Sequence, residues 1–186
     1  MVGLALLPGF TDSGAHDINN LGQVVGYCAL AGVANRGFYW SSAAGTKQVG
    51  TLPGGLGSDA VGINDLSEIV GTSDFGDVNK PLAVLWNRAR VAQSLGVLTG
   101  GSWSSAFAIN VLGTVVGNGD CSGCVSHAAF VWSARSGMRD LNTLIPANSG
   151  WQLEGAVAIN VAGQIVGAGT INGQQHAFLL TPQCVR

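Results

Sequence analysis

Cys121-x-x-Cys124-x-x-His127 places three soft ligands within seven residues. That spacing suits one side of a tetrahedral Zn²⁺ site, with the fourth ligand drawn from elsewhere. A structural zinc site usually carries a second such pair, and none is present, so a local disulfide loop or two free thiols is the competing reading. Asp74-x-x-Asp77-x-Asn79 offers three oxygen side chains to Ca²⁺, but without the EF-hand spacing or its closing glutamate. No cofactor is expected, and calcium at this run is the one exception weighed. Trp103 and Trp151 stand near Asp, Asn, Ser and Gln residues. An exposed aromatic in polar company is what a sugar ring or apolar ligand stacks on; a loop cap over the core is the alternative.

His16-Asp17 is a polar pair in a run that elsewhere holds apolar or small residues. It reads as a channel-lining site or as a satisfied local substitution. Gly-x-Ser-x-Gly, Walker and dinucleotide fingerprints are missing from the sequence. The scattered His and Asp residues assemble no nucleophile, base and orienter. A non-catalytic protein is therefore expected. A hydrolase or lyase built on Asp12, His16 and Asp17 is the enzymatic alternative.

The elements that must position these residues come in four copies. Ile18-Asn19, Ile63-Asn64, Ile109-Asn110 and Ile159-Asn160 recur at intervals of 45, 46 and 50 residues. Seven residues after each asparagine stands a glycine: Gly26, Gly71, Gly117 and Gly167. An aromatic or apolar run follows, ending in Trp40, Trp86, Trp132 and Leu180. A further short run precedes the next Leu-Pro-Gly or its equivalent. β-Branched and aromatic residues fill these runs, glycine is too dense for helices, and no 3.6-residue period is sustained. About 46 residues and four strands per repeat is the arithmetic of a β-propeller blade.

The expected fold is all-β: a propeller-like array of four repeats, each of four antiparallel strands. The repeats fall at about 6–50, 51–96, 97–142 and 143–182. The first strand of each ends at the Ile-Asn pair. Asn-x-x-Gly at the turn suits a type I turn with a G1 bulge; Ser67 replaces that glycine in the second copy, which predicts a strained or different turn. The fourth repeat stops after its third strand. Val2–Leu7 resembles the fourth strand of the first repeat, so it is expected to complete the last blade and close a four-bladed ring. A fragment of a larger ring, or an open array, is the competitor. The three periodic tryptophans are read as packing between blades.

At these residues the chain resembles the HAF-repeat family, named for a His-Ala-Phe tripeptide. His176-Ala177-Phe178 carries that tripeptide, Ser126–Trp132 is a shifted version, and Leu52-Pro53-Gly54-Gly55 and Ile159–Gly167 match the rest of the repeat. The resemblance spans roughly residues 4–182. It implies a bacterial repeat protein of the extracellular space or cell surface, and it implies no chemistry.

Composition fits a packed array. Charged residues are 10% of 186, hydrophobic residues 47%, and glycine numbers 29. That excludes a disordered chain. Eight basic and ten acidic residues give a net charge of −2, which argues against a nucleic-acid partner. No apolar run approaches the ~20 residues of a membrane helix, and the opening residues show no secretory leader.

Antiparallel strands numbered one to four put the 2–3 and 4–1 loops of every blade on one face. That face is expected to carry Asp12, Asp59, Asp74, Asp77, Asp120 and Glu154. The opposite face takes Lys47, Arg88, Arg90, Arg135 and Arg139. Loops on a rigid scaffold are where binding sits. The expectation is a binding or scaffold module whose acidic loop face takes a glycan or other polar ligand through Trp103 and Trp151. A purely structural or protein-interaction repeat is the other reading.

Overall fold

A computed structural model of the protein describes residues 2–74 and 80–183. The first sheet holds β1 (Asp12–Ile18), β2 (Val24–Leu30), β3 (Val33–Ser41) and β4 (Gly45–Gln48), in that order. The second holds β5 (Ser58–Ile63), β6 (Ile69–Ser73), β7 (Leu82–Trp86) and β8 (Ala92–Gly96). In the third, β9 (Ser104–Ile109), β10 (Val115–Gly119), β11 (Ala128–Ser133) and β12 (Gly137–Asp140) follow the same order. A short 3-10 turn, Leu141–Thr143, leads to β13 (Trp151–Ile159), β14 (Ile165–Ile171) and β15 (Gln174–Leu180), which form a three-stranded sheet. All pairings are antiparallel, and the architecture is a propeller-like array of four blades.

Each sheet is too thin to bury its own face, so the core is distributed between blades. Val25 and Val49 of the first pack on Ala60, Ile63, Ile69, Val84 and Trp86 of the second. Val70 and Ala83 meet Ala106, Ile109, Val115, Phe130 and Trp132 of the third. Val116 and Ala129 meet Leu153, Ala156, Ile165 and Phe178 of the fourth. In every case the innermost strand of one blade lies over the second and third strands of the blade before it. Trp86 and Trp132 are buried in these layers, and Trp40 packs in the apolar cluster at the front of the first sheet.

The repeated asparagine does two jobs. Its Oδ1 accepts turn N–H groups, as from Leu66 and Glu68 at 3.0 Å each for Asn64. Its Nδ2 donates to the corresponding carbonyl of the next blade: Asn19 to Asn64, Asn64 to Asn110 and Asn110 to Asn160, at 3.0, 3.0 and 3.1 Å. Turn formation alone was expected; the ladder between blades was not. Ser67 adopts the same turn as the glycines, at φ 62° beside 70° for Gly22 and 75° for Gly113. The turn is thus unchanged in the second copy, and the Ser67 hydroxyl donates 2.7 Å to Gln23 Oε1 across the blade boundary.

The glycine seven residues on has a steric cause. A Cβ on Gly26, Gly71, Gly117 or Gly167 would lie 1.9–2.0 Å from the carbonyl oxygen of Gly14, Asp59, Ser105 or Gly155 on the inner strand. That approach accompanies a β-bulge at the same level in every blade, where His16, Val61, Phe107 and Val157 are passed over in the register.

The expected closing strand is not formed. Residues 2–7 have no strand geometry, and the fourth sheet has no fourth strand among the described residues. Leu4, Leu7 and Phe10 instead pack against Cys28, Phe38, Val24 and Trp40 of the first sheet. They supply the apolar cover that the other blades take from the connector before them, as from Leu52 and Leu98. Among the described residues no strand of the first sheet makes an extended contact with a strand of the fourth.

Candidate functional site

Two concave regions gather polar side chains. The first is a groove of about 320 Å³ between the third and fourth blades, on the loop-rich face. It is lined by Trp151, Gln152, Asp140, Asn142, His127 and the Cys121–Cys124 loop. The 3-10 turn builds one wall: Asp140 Oδ1 accepts from the Asn142 N–H at 2.8 Å and from its side-chain amide at 2.9 Å. Asn142 in turn receives the Leu153 N–H at 2.7 Å and donates to the Leu153 carbonyl at 3.0 Å. This fixes the start of β13, and with it Trp151. The Trp151 ring is half-buried, edge-on to His176 and Phe178 at centroid distances of 6.4 and 6.5 Å. Cys121 and Cys124 are joined by a disulfide, their Cα atoms 5.4 Å apart. The two sulfurs are therefore spent on each other: the local disulfide loop is formed, and the zinc arrangement weighed against it for Cys121, Cys124 and His127 is not. Among the described residues no three acidic, His or Cys side chains converge on a metal position.

The second region is an axial cavity of about 540 Å³, lined by His16, Asp17, Val61, Phe107, Ala108, Ile109, Val157, Ala158 and Ile159. Its lining includes the four bulge residues, because a bulge re-aims a side chain out of the pleat. His16 and Asp17 are its polar members. Asp17 is satisfied, accepting from Ile63 N–H at 2.9 Å and Ile18 N–H at 2.8 Å. His16 Nε2 stands 3.1 Å from Asp59 Oδ1, a contact between first and second blades that is off the hydrogen-bond line. Burial pushes the Asp59 carboxyl above its ordinary value, with His16 pulling the other way.

The remaining expected residues do not form one cluster. Asp120 and Asp74 hold the 4–1 loops. Asp120 accepts from Trp103 N–H at 2.8 Å, Ser102 N–H at 2.7 Å and the Ser102 hydroxyl at 2.8 Å, and Asp74 accepts from Leu56 N–H. Burial raises the Asp120 carboxyl, but these donors outweigh it and hold it below the ordinary value. Asp12 is exposed and accepts from Thr11 at 2.7 Å. Asp77, and with it the Asp74-x-x-Asp77-x-Asn79 run, lies outside the described residues. Trp103 is half-buried beside His127, ring centroids 6.3 Å apart, and lines neither cavity. Trp151 lines the groove, and Trp103 borders it through His127. Asp140 and Asn142 were missed from sequence; their irregular turn, in place of the Leu-Pro-Gly of other repeats, was the available signal.

The faces are arranged as the strand numbering requires. Asp120 and Asp74 tie 2–3 loops to 4–1 loops on one side. On the other, Arg88 Nε and an Arg90 guanidinium N–H donate to the Leu66 and Ser67 carbonyls at 2.7 and 2.8 Å, tying a 3–4 turn to a 1–2 turn. Arg90 also lies 4.0 Å over the Tyr39 ring of the first blade.

No family model and no curated protein matches the chain. Among solved structures the chain is similar to TolB from Acinetobacter baumannii, with a TM-score of 0.63 and 15% identity. That likeness covers 94% of this chain and 41% of the TolB chain. The chain thus spans about two fifths of the protein it matches, and at this identity the shared property is the β-propeller-like fold.

Proposed function

We propose that the protein is a non-catalytic binding module of the extracellular space or cell surface, taking a polar ligand in the groove beside Trp151. The sugar unit of a glycan is the ligand class that best suits it. The observation that carries this reading is the half-buried Trp151 ring on the wall of a groove that also carries Ser122, His127, Asp140, Asn142 and Gln152. The ring offers a stacking surface, while Gln152, His127 and Ser122 offer hydrogen bonds to hydroxyls.

The test is a glycan-binding screen with calcium present, followed by titration of Trp151→Ala. Loss of the stacking surface should weaken binding about tenfold, on the order of 1.5 kcal/mol; the ring also packs on the core, so affinity is compared at a temperature where both proteins are fully folded. Leu112→Ala, an exposed residue on the opposite face, should leave affinity intact. A blank screen with folded protein would end the glycan reading.

One observation favours a second reading, a protein-interaction module. The tips of the 1–2 turns place Leu21, Leu66, Leu112, Val111 and Val161 on the opposite face, all exposed, with Leu112 at 73%. The asparagine ladder sets these tips side by side. Clustered apolar side chains of this kind mark surfaces that meet protein partners.

A further inference from the structure

The Cys121–Cys124 disulfide opens on the groove, and the fold does not depend on it. The two cysteines are three residues apart in sequence. Both are half-buried, and they line the groove together with the exposed Ser122 and Gly123 that they enclose. Their loop is pinned without the bond. Ser122 N–H donates to the Thr99 carbonyl at 3.0 Å, and Cys124 N–H donates to the Cys121 carbonyl at 3.3 Å. Asp120, next to Cys121, clamps the adjoining 4–1 loop through Ser102 and Trp103. In the first blade the same position after the second strand's glycine run holds Cys28, a free thiol at 0% exposure. That blade is built without a cross-link.

A cross-link stabilises a fold mainly by restricting the unfolded chain, and the effect grows with the length of loop it closes. A separation of three residues closes a very short loop, so this bond adds little to cohesion. Both cysteines lie at the edge of the apolar layer between the second and third blades, where a free thiol packs as a small apolar group does. Opening the bond therefore leaves that layer in place. A disulfide that solvent reaches and the fold can spare is of the labile kind, whereas structural disulfides resist the glutathione pool. Around it, Ser122, His127 and Gln152 offer hydrogen bonds to a polar thiol, and the groove volume of about 320 Å³ is that of a small-molecule site.

We propose that Cys121–Cys124 is a reversible thiol–disulfide exchange site that reacts, from the groove, with a small polar thiol. The thiolate of that molecule attacks one Sγ. The Sγ–Sγ bond breaks, its electron pair leaves on the other Sγ, and that thiolate takes a proton from water. The product is a mixed disulfide between the protein and the small molecule. A second thiolate attacks the small molecule's sulfur in that bond. It releases the small-molecule disulfide and leaves Cys121 and Cys124 as thiols. Two thiols are oxidised to one disulfide while one cystine is reduced, so two electrons pass to the protein. The reverse sequence, with the small-molecule disulfide as oxidant, restores the bond. The exchange stands whether or not a sugar binds beside Trp151.

Equilibration of the 186-residue chain with reduced and oxidised glutathione tests this, with alkylation of free thiols and mass mapping of the labelled peptides as the readout. In about 10 mM reduced and 0.1 mM oxidised glutathione, at least half of the chains should carry label on both Cys121 and Cys124, a mixture in which structural disulfides stay closed. Circular dichroism should be unchanged, and Cys28, buried in the folded protein, should stay unlabelled. Raising oxidised glutathione should re-form the Cys121–Cys124 bond. Cys124→Ser, which leaves the Cys121 thiol alone in the groove, should take up one glutathione at Cys121 from oxidised glutathione. A bond that stays closed in this mixture, or opens only as Cys28 becomes labelled, overturns the proposal, because the disulfide is then a staple of the loop. Reduction that oxidised glutathione does not reverse, or a Cys124→Ser chain that forms no mixed disulfide, overturns it as well.

Discussion

Asp120 shows how an acidic residue on the loop-rich face acts as a loop clamp. Its carboxylate takes two backbone N–H groups and one hydroxyl from Ser102 and Trp103, and so shapes the approach to β9. These donors stabilise the charged form, so its folded-state value is lowered from 3.8. A lowered carboxyl contributes stability above its unfolded value, and that contribution is lost as pH falls through the folded value. Asp120→Asn should therefore melt below wild type at pH 7, and the difference should shrink as pH drops below 3.8. Melting curves for both proteins across that range check it; a gap independent of pH would show that the charge plays no part. Asp59 has the opposite sign. Its carboxyl is raised by burial, so its ionisation weakens the fold as pH rises from its unfolded towards its folded value. Among residues on one acidic face, position in the loop thus decides which charges are structural.

At the scale of the element, the inner hairpin of each blade depends on one bulge and one glycine. The bulge brings the inner-strand carbonyl so close that the Val-Val-Gly glycine has no room for a Cβ. At Gly71 the Asp59 carbonyl oxygen would be 2.0 Å away, with the Val61 backbone at 3.0 Å. Both are backbone atoms, so relief requires the strands to part. Gly71→Ala should cost about 3 kcal/mol, the upper end of ordinary overpacking. Gly45→Ala is the control, because that turn glycine has φ +64° but open space around it, and its cost should stay near 1 kcal/mol. Urea denaturation separates the two; equal losses would mean that close approach is not what fixes the glycine. The same bulge turns His16 and Phe107 towards the axis, so the device that shapes the hairpin also lines the cavity.

At the scale of the whole molecule, cohesion is a nearest-neighbour property. Each blade is held by an apolar layer and one asparagine bridge to the next. Stability should then vary with position along the array, as in other repeat proteins. The Asn64 side chain is buried and donates across a boundary, whereas the Asn160 side chain bonds only within its turn. Asn64→Ala should cost about 2–3 kcal/mol and Asn160→Ala about 1 kcal/mol. Equilibrium denaturation measures both, and matching losses would remove the bridge from the account.

The repeat was legible from residues alone. Ile-Asn, Val-Val-Gly and the aromatic run recur with the period of one blade, and each strand carries its own β-branched and turn residues, which is local information. The asparagine turns and the burial of Trp86 and Trp132 follow from that pattern. Tertiary structure decided what depends on distances between blades: the ladder through Asn19, Asn64, Asn110 and Asn160, the His16–Asp59 contact, and the placing of Trp103 at the border of the groove that Trp151 lines. It also decided the fate of Val2–Leu7, whose pattern reads as a strand. A strand needs a partner's backbone as well as its own propensity. Where β15 lies out of reach, the apolar side chains of this segment go to the nearest uncovered sheet, the first.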